Sequence, residues 1–224
     1  MLEISNVKVY DLEESVIACR NAFRTEMPEY TKEEFEKSLD RAIQLANTPN
    51  GSGHQTFLSG IRVSFDIVYP NYISPELQRY HWLDIVTSAS KMHRLMDMDL
   101  DMCCTKYVTE NTIAELASHI RRYKYIKNDK HFKNAVFTLR DGEVIVANNK
   151  DDALYYAFMM CINNCPQGIE LFMRCSTNYL QLRNIYHQRK NHKLIDDWRI
   201  GFCQDFVEKL PYAEEFIIGK SKKI

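Results

Sequence analysis

Three stretches of the chain concentrate residues able to do chemistry. In the first, Gly53-His54-Gln55-Thr56, an imidazole and a hydroxyl stand between a Gly-rich turn and an alternating apolar run. The second, Glu76-Leu77-Gln78-Arg79-Tyr80-His81, is followed closely by Thr87-Ser88-Ala89-Ser90-Lys91-Met92-His93-Arg94. Arginine offers a bidentate fork and serine a short donor, a combination suited to an anion such as a nucleotide phosphate. The third runs from Arg174 to His192. On a helix, Tyr179, Arg183 and His187 follow one another at four-residue spacing, so one face can present a ring, a cation and an imidazole. Each stretch also has a plain structural reading: a histidine in a turn, a solvated helix face, a basic exposed helix.

Composition narrows what these groups can meet. The chain has 224 residues, with 29 Lys plus Arg against 30 Asp plus Glu. That balance removes the overall positive field of a non-specific nucleic-acid binder, so no nucleic-acid partner is expected and an anionic ligand must be met by a local cluster. With 45% hydrophobic residues and only 7 Gly and 6 Pro, the chain is neither disordered nor linker-rich. No apolar run approaches the roughly 18 to 20 residues that span a bilayer, and the N-terminus lacks a basic-then-apolar signal layout. A cytoplasmic protein without a membrane partner is expected. The seven cysteines, at 19, 103, 104, 161, 165, 175 and 203, show no repeated metal-binding spacing, so reduced, buried thiols are expected and no metal.

The elements that must position the three stretches follow from periodicity. Alternation after Ile4 predicts a short strand, and Asp11 with Glu14 a capped helix carrying Val16, Ile17 and Phe23. Thr31 with Glu34 starts a second helix, which ends at Thr48-Pro49-Asn50-Gly51-Ser52-Gly53. Ile61, Val63, Phe65 and Ile67 alternate strictly and predict a strand closed by Pro70. Helical turns are predicted from Pro75 to about Leu95 and a helix from Thr109 to Ile126. Asp141-Gly142 between two β-branched runs predicts a hairpin over 136–146. Further helices are predicted at 151–164, about 177–192 and 195–210. The expected architecture is α+β: one domain over 1–224, with helices packed around a small antiparallel sheet.

Taken in order, the three stretches resemble the flavin-dependent thymidylate synthase family. That family opens a strand with Gly-His-x-Ser/Thr, and about twenty residues later carries Gln-x-x-Arg-His-Arg. This chain has Gly53-His54-Gln55-Thr56, then Gln78-Arg79-Tyr80-His81. The segment Gln181-Leu182-Arg183-Asn184-Ile185-Tyr186-His187 is similar to the family's Asn-x-Arg-x-x-x-His/Asn helix, and Gly168 to Arg174 to its Gly-x-x-x-Glu-x-Ala-Arg. His81 replaces the second Arg of the signature and Val86 an Asn, which implies weak flavin binding. The hairpin over 136–146 has no counterpart in the family's pattern.

The resemblance implies methylation of dUMP to dTMP, with the methylene unit from 5,10-methylenetetrahydrofolate and hydride from reduced FAD, recharged by NADPH. It implies nucleotide contacts from Glu76, Arg79, Ser88, Ser90 and Arg174, and flavin contacts from His54, Thr56, Arg79, His81, Gln181, Arg183 and His187. Arg189, with His192 as the alternative, takes the place of the arginine that polarises the pyrimidine. A homotetramer sharing its sites between subunits is implied too. Two other readings stay open: a non-catalytic nucleotide-binding protein of the same fold, and a pyrimidine-nucleotide hydroxymethylase.

Overall fold

The computed structural model describes residues 1–49 and 51–219; Asn50, part of the expected Gly-rich turn, lies outside them. In chain order the elements are β1 (Glu3–Tyr10), α1 (Leu12–Ala18), α2 (Lys32–Ala46), β2 (Arg62–Pro70), α3 (Ser74–Leu77), β3 (Asp84–Ser88) and α4 (Lys91–Arg94). Then come α5 (Leu100–Cys103), α6 (Glu110–Asn128), β4 (Ala135–Thr138), β5 (Val144–Ala147), α7 (Lys150–Asn163), β6 (Glu170–Asn178) and α8 (Tyr179–Arg189). Two wide-turned π-helical segments, Ile195–Gln204 and Glu214–Ile218, close the described chain. The fold is α+β, as the periodicity predicts. Its backbone contacts gather into two compact units, one formed by 1–69, 73–88 and 172 onward, the other by 70–72 and 89–171.

The first unit is built on a four-stranded sheet in the order β1-β2-β6-β3, with β1 antiparallel to β2 and β3 antiparallel to β6. Alternation buries Val63, Phe65 and Ile67 of β2 and leaves Ser64 and Asp66 on the opposite face. Against the buried face stand Trp198, Phe202 and Phe206, with Phe65 4.6 Å from Phe206 between ring centroids. Around it pack α1, α2 and α8, the last capped by Asn178, whose side chain accepts the Gln181 N–H at 2.9 Å. Thr31 caps α2 as predicted, its hydroxyl accepting from the Glu34 N–H. Asp11 does not cap α1 with its side chain: it takes φ 57 at the sharp strand-to-helix corner, and only its carbonyl serves, accepting from Ser15.

Two strands stand where sequence periodicity predicts none. The stretch Pro75 to Leu95 is short helical turns interrupted by β3, whose β-branched Ile85, Val86 and Thr87 favour extended chain. Strand β6 precedes α8, so that helix begins at Tyr179 and not near Thr177.

The second unit is the antiparallel hairpin β4–β5 with α6 and α7. Gly142, at φ 88, makes the turn that the Asp-Gly dipeptide predicts. Phe137 and Ala147 on one hairpin face pack with Ile126 of α6 and with Ala153 and Ala157 of α7. Cys161 is fully buried in the neighbouring cluster around Leu116 and Ile120, where burial pushes its thiol up to about 11. No helix among the described residues is long and apolar enough to cross a membrane.

Candidate functional site

His54 and Thr56 sit on a helical turn, His54–Ser59, entered through the positive-φ residue Gly53. The turn is anchored from beneath by Gln55, whose buried amide donates to the Thr48 carbonyl at 2.6 Å. That anchoring leaves His54 and Thr56 exposed at the rim of a cleft of about 560 Å³, walled by α1, the turn after it and α2. Gly60 allows the walls to close: a Cβ there would stand 2.4 Å from Ser15 Oγ. Arg41 of α2 lines the same cleft, its guanidinium 5.6 Å from the Phe23 ring centroid. Cys19 completes the wall; burial raises its thiol's pKa, against the pull of Arg20, Arg41 and Arg24. An imidazole, a guanidinium beside a ring and the hydroxyls of Ser15, Thr56 and Ser59 thus face one space, an arrangement able to hold an anion next to an aromatic group. Arg41 and Ser15 escape motif reading. For Ser15 the signal is the spacing Ser15, Ala18, Cys19, Ala22, a face without bulky side chains; Arg41, on the next helix, carries none.

Glu76 and Arg189 are brought together, with each other as partners. Arg189 Nη1 lies 3.1 Å from Glu76 Oε2, and its Nε donates to the Tyr80 hydroxyl at 2.7 Å. Its guanidinium stands 4.6 Å from the Trp198 ring centroid. The same Glu76 oxygen accepts the Trp198 indole N–H at 2.6 Å, and His192 Nε2 is 3.9 Å from the other oxygen. Tyr80 donates onward to Gln188 at 3.2 Å. The network is satisfied from within the chain.

Arg174 and Arg183 are likewise engaged. Arg174 reaches across the polar face of the sheet to Asp66 Oδ1 at 3.0 Å, Ser64 Oγ at 2.9 Å and the Asn6 carbonyl at 3.1 Å. Hydrogen bonds from Asn6 and Arg174 hold the Asp66 carboxyl below its usual range. Arg183 is 8% exposed and donates to the Phe216 carbonyl at 2.9 Å. Burial lowers its pKa, and its Nε has no hydrogen-bond partner among the described residues. One turn on, His187 shares a hydrogen bond with the Ile217 backbone, while burial and the neighbouring Lys190 and Arg183 lower its pKa. Gln181 is buried in the first turn of α8.

Arg79 and His81 stand exposed between α3 and β3, and Arg79 makes no hydrogen bond or ion pair among the described residues. Ser88 is exposed at the end of β3, and Ser90 begins α4 in the other unit. Among the described residues, no three His, Cys, Asp or Glu side chains converge as a metal centre requires.

No protein-family model matches the chain, and no curated protein matches it in sequence. Solved structures match it in fold. Flavin-dependent thymidylate synthase ThyX from Helicobacter pylori, complexed with FAD and dUMP, superimposes with a TM-score of 0.57 at 15% identity, over 96% of this chain and 97% of that one. A second crystal structure of Thymidylate Synthase X from the same organism, with FAD and dUMP, gives 0.58 at 13% identity over 97% of both chains. Likeness at this identity concerns architecture, and its conclusion is that the chain has a flavin-dependent thymidylate synthase-like fold.

Proposed function

We propose that the chain is a flavin- and folate-dependent enzyme that methylates dUMP to dTMP, with FAD held at the His54 cleft. The observation that carries this reading is the coincidence of a likeness spanning nearly the whole chain with an open cleft at the two motif residues, His54 and Thr56. The cleft's polar set fits a flavin nucleotide: Arg41 and His54 meet its anionic linkage and Ser15 a further acceptor, while Thr56 and Ser59, whose hydroxyls donate to the Gly53 and Thr56 carbonyls, accept from its N–H or O–H groups. When bound, FAD reduced by NADPH supplies the hydride, and 5,10-methylenetetrahydrofolate the carbon. The chain's own part is binding and orientation: Arg79 meets the phosphate of dUMP, and His81 and Ser88 border the same exposed segment. Arg189 reaches a ligand only by exchanging its Tyr80 or Glu76 partner.

The assembly in this reading is a homotetramer. Edge strand β3 supports it: all five of its residues are exposed, and with Trp82 and Val86 (66% and 64% exposed) it leaves apolar surface and an unpaired edge in solvent.

A second reading, a nucleotide-binding protein without catalysis, is favoured by a different observation. Arg174, Arg183 and Arg189, all implied in ligand contacts, are spent on internal partners.

The deciding experiment adds FAD to the purified protein, follows quenching of flavin fluorescence, and then assays dTMP with dUMP, NADPH and methylenetetrahydrofolate present. Quenching with dTMP formation supports the enzyme. A thermal shift with dUMP but none with FAD, and no product, supports the second reading and ends the first.

A further inference from the structure

The second unit contains a cavity that the flavin reading does not use. It lies between the tip of the β4–β5 hairpin and the C-terminal half of α7, and measures about 740 Å³, within the range of roughly 300 to 1,000 Å³ usual for small-molecule sites. Its helical wall is two parallel i, i+4 ridges, Tyr155–Met159–Asn163 and Tyr156–Met160–Asn164. Ala153, Ala157 and Cys161 of the same helix enter the core; the Tyr155 ridge lies on the far side of the helix, and Tyr156 and Met160 flank the core, half-buried against it. Along each ridge the chemistry grades from aromatic ring to thioether to carboxamide.

The aromatic end is set in place before any ligand arrives. The Phe137 ring, 1% exposed, lies 5.7 Å from the Tyr156 ring, and Tyr155 meets Tyr156 edge-on at 5.4 Å. The Arg122 guanidinium, 4.2 Å from the Phe137 centroid, steadies that ring. At the amide end, Asn163 and Asn164 give their N–H groups to the Met159 and Met160 carbonyls at 2.8 Å. Their carboxamide oxygens are therefore acceptors with no partner among the described residues.

Arg140, on the hairpin turn, is the single charged group in the lining among the described residues. It is exposed and makes no hydrogen bond or ion pair among the described residues. An unpaired guanidinium at the mouth of an aromatic and thioether cavity selects one negative charge attached to an apolar, planar body.

We propose that this cavity binds a small planar aromatic monoanion: ring against Tyr155, Tyr156 and the methionines, carboxylate on Arg140, and any ring N–H or O–H toward the Asn163 and Asn164 oxygens. The site is separate in chemistry and residues from the His54 cleft.

The test is calorimetric titration of the full chain with 2-naphthoate and with its uncharged analogue 2-naphthamide. Arg140→Ala and Tyr155→Ala change exposed side chains, and unchanged melting curves establish that both variants are folded. One naphthoate should bind per chain. Arg140→Ala should weaken naphthoate roughly tenfold to a hundredfold, the range of a charge-assisted hydrogen bond, and leave naphthamide unchanged. Tyr155→Ala should weaken both compounds, and Arg41→Ala, in the other cleft, neither. Absence of naphthoate binding, binding indifferent to both variants, or binding lost in Arg41→Ala overturns the proposal. So does self-association in the absence of naphthoate that Tyr155→Ala abolishes, since the cavity then belongs to a second copy of the chain. Failure of FAD to bind leaves every one of these outcomes readable.

Discussion

Arg183 binds the carbonyl of Phe216, thirty-three residues further along the chain, at 2.9 Å, and so ties α8 to the closing π-helical segment. Asn47 holds the same segment from α2 through the Glu215 carbonyl at 3.1 Å. A cation at the C-terminal end of a helix meets its unsatisfied carbonyls and the negative end of its dipole. Arg183→Gln should therefore act on stability. A hydrogen bond to a charged group is worth about 1.5–3 kcal/mol, which for a chain of this size lowers Tm by about 3–12 °C. Thermal unfolding monitored by circular dichroism measures it; an unchanged Tm with lost FAD quenching would return Arg183 to the ligand.

His187 makes the same junction sensitive to pH. Its pKa is lowered from the ordinary 6.5, so between that value and its folded pKa the unfolded chain binds more protons than the folded one. Stability should be full above pH 6.5 and decline as pH falls through the window below it. Urea midpoints across that range should slope upward with pH in the parent and less steeply in His187→Gln. Equal slopes would remove His187 as the source.

Glu76 serves Arg189 and Trp198 at once, so its charge matters to both. Glu76→Gln should cost about 1.5–2 kcal/mol, the lower part of the charged hydrogen-bond range because the pair is not fully buried. Trp198 is fully buried and adjoins the carboxylate, and its emission should change; Trp82→Phe in the background removes the other indole. If Glu76→Gln and Arg189→Met destabilise additively, the pairing carries no coupling energy.

What the sequence discloses is what is local. Thr31 with Glu34, Thr109 with Thr112 and Asp141-Gly142 each bond within a few residues, and the elements they start or turn stand where periodicity predicts. Strands β3 and β6 pair across about ninety residues and carry weaker patterns: β3 has no buried residue to alternate, and Phe172 puts a large apolar ring on the exposed face of β6. Site residues divide in the same way. His54 and Thr56 are marked by a short motif, whereas Arg41 reaches their cleft through packing of α1 against α2. That Arg174 and Arg183 are spoken for depends on Asp66 and Phe216, far away in sequence, and no spacing rule reports it.

The thiols should divide by burial. Cys175 and Cys203 are buried, and their pKa values are pushed up to about 12; Cys161 is buried at about 11. At pH 8 these three are protonated and shielded, so Ellman's reagent should leave them unmodified in the native protein and reach all seven free cysteines in guanidinium chloride. Rapid native modification of Cys175 or Cys203, read by peptide mass mapping, would contradict the packing around β6 and the π-helical segment.

Arg79 and Arg174 are both implied in nucleotide contacts, and the structure gives them opposite circumstances. Arg174 holds Asp66, Ser64 and the Asn6 carbonyl, so Arg174→Ala strands three partners and should lower Tm whatever it does to ligands. Arg79 is exposed and unpaired among the described residues, so its removal strands nothing and should leave Tm within about 1–2 °C. If Arg79 meets the phosphate of dUMP, Arg79→Ala loses a charge-assisted contact worth about 1.5–3 kcal/mol and weakens binding roughly tenfold to a hundredfold. The two variants should therefore part on two axes, affinity for Arg79 and stability for Arg174. Calorimetric titration with dUMP beside thermal unfolding separates them, and dUMP affinity equal to the parent's in Arg79→Ala would take the nucleotide away from the exposed segment between α3 and β3.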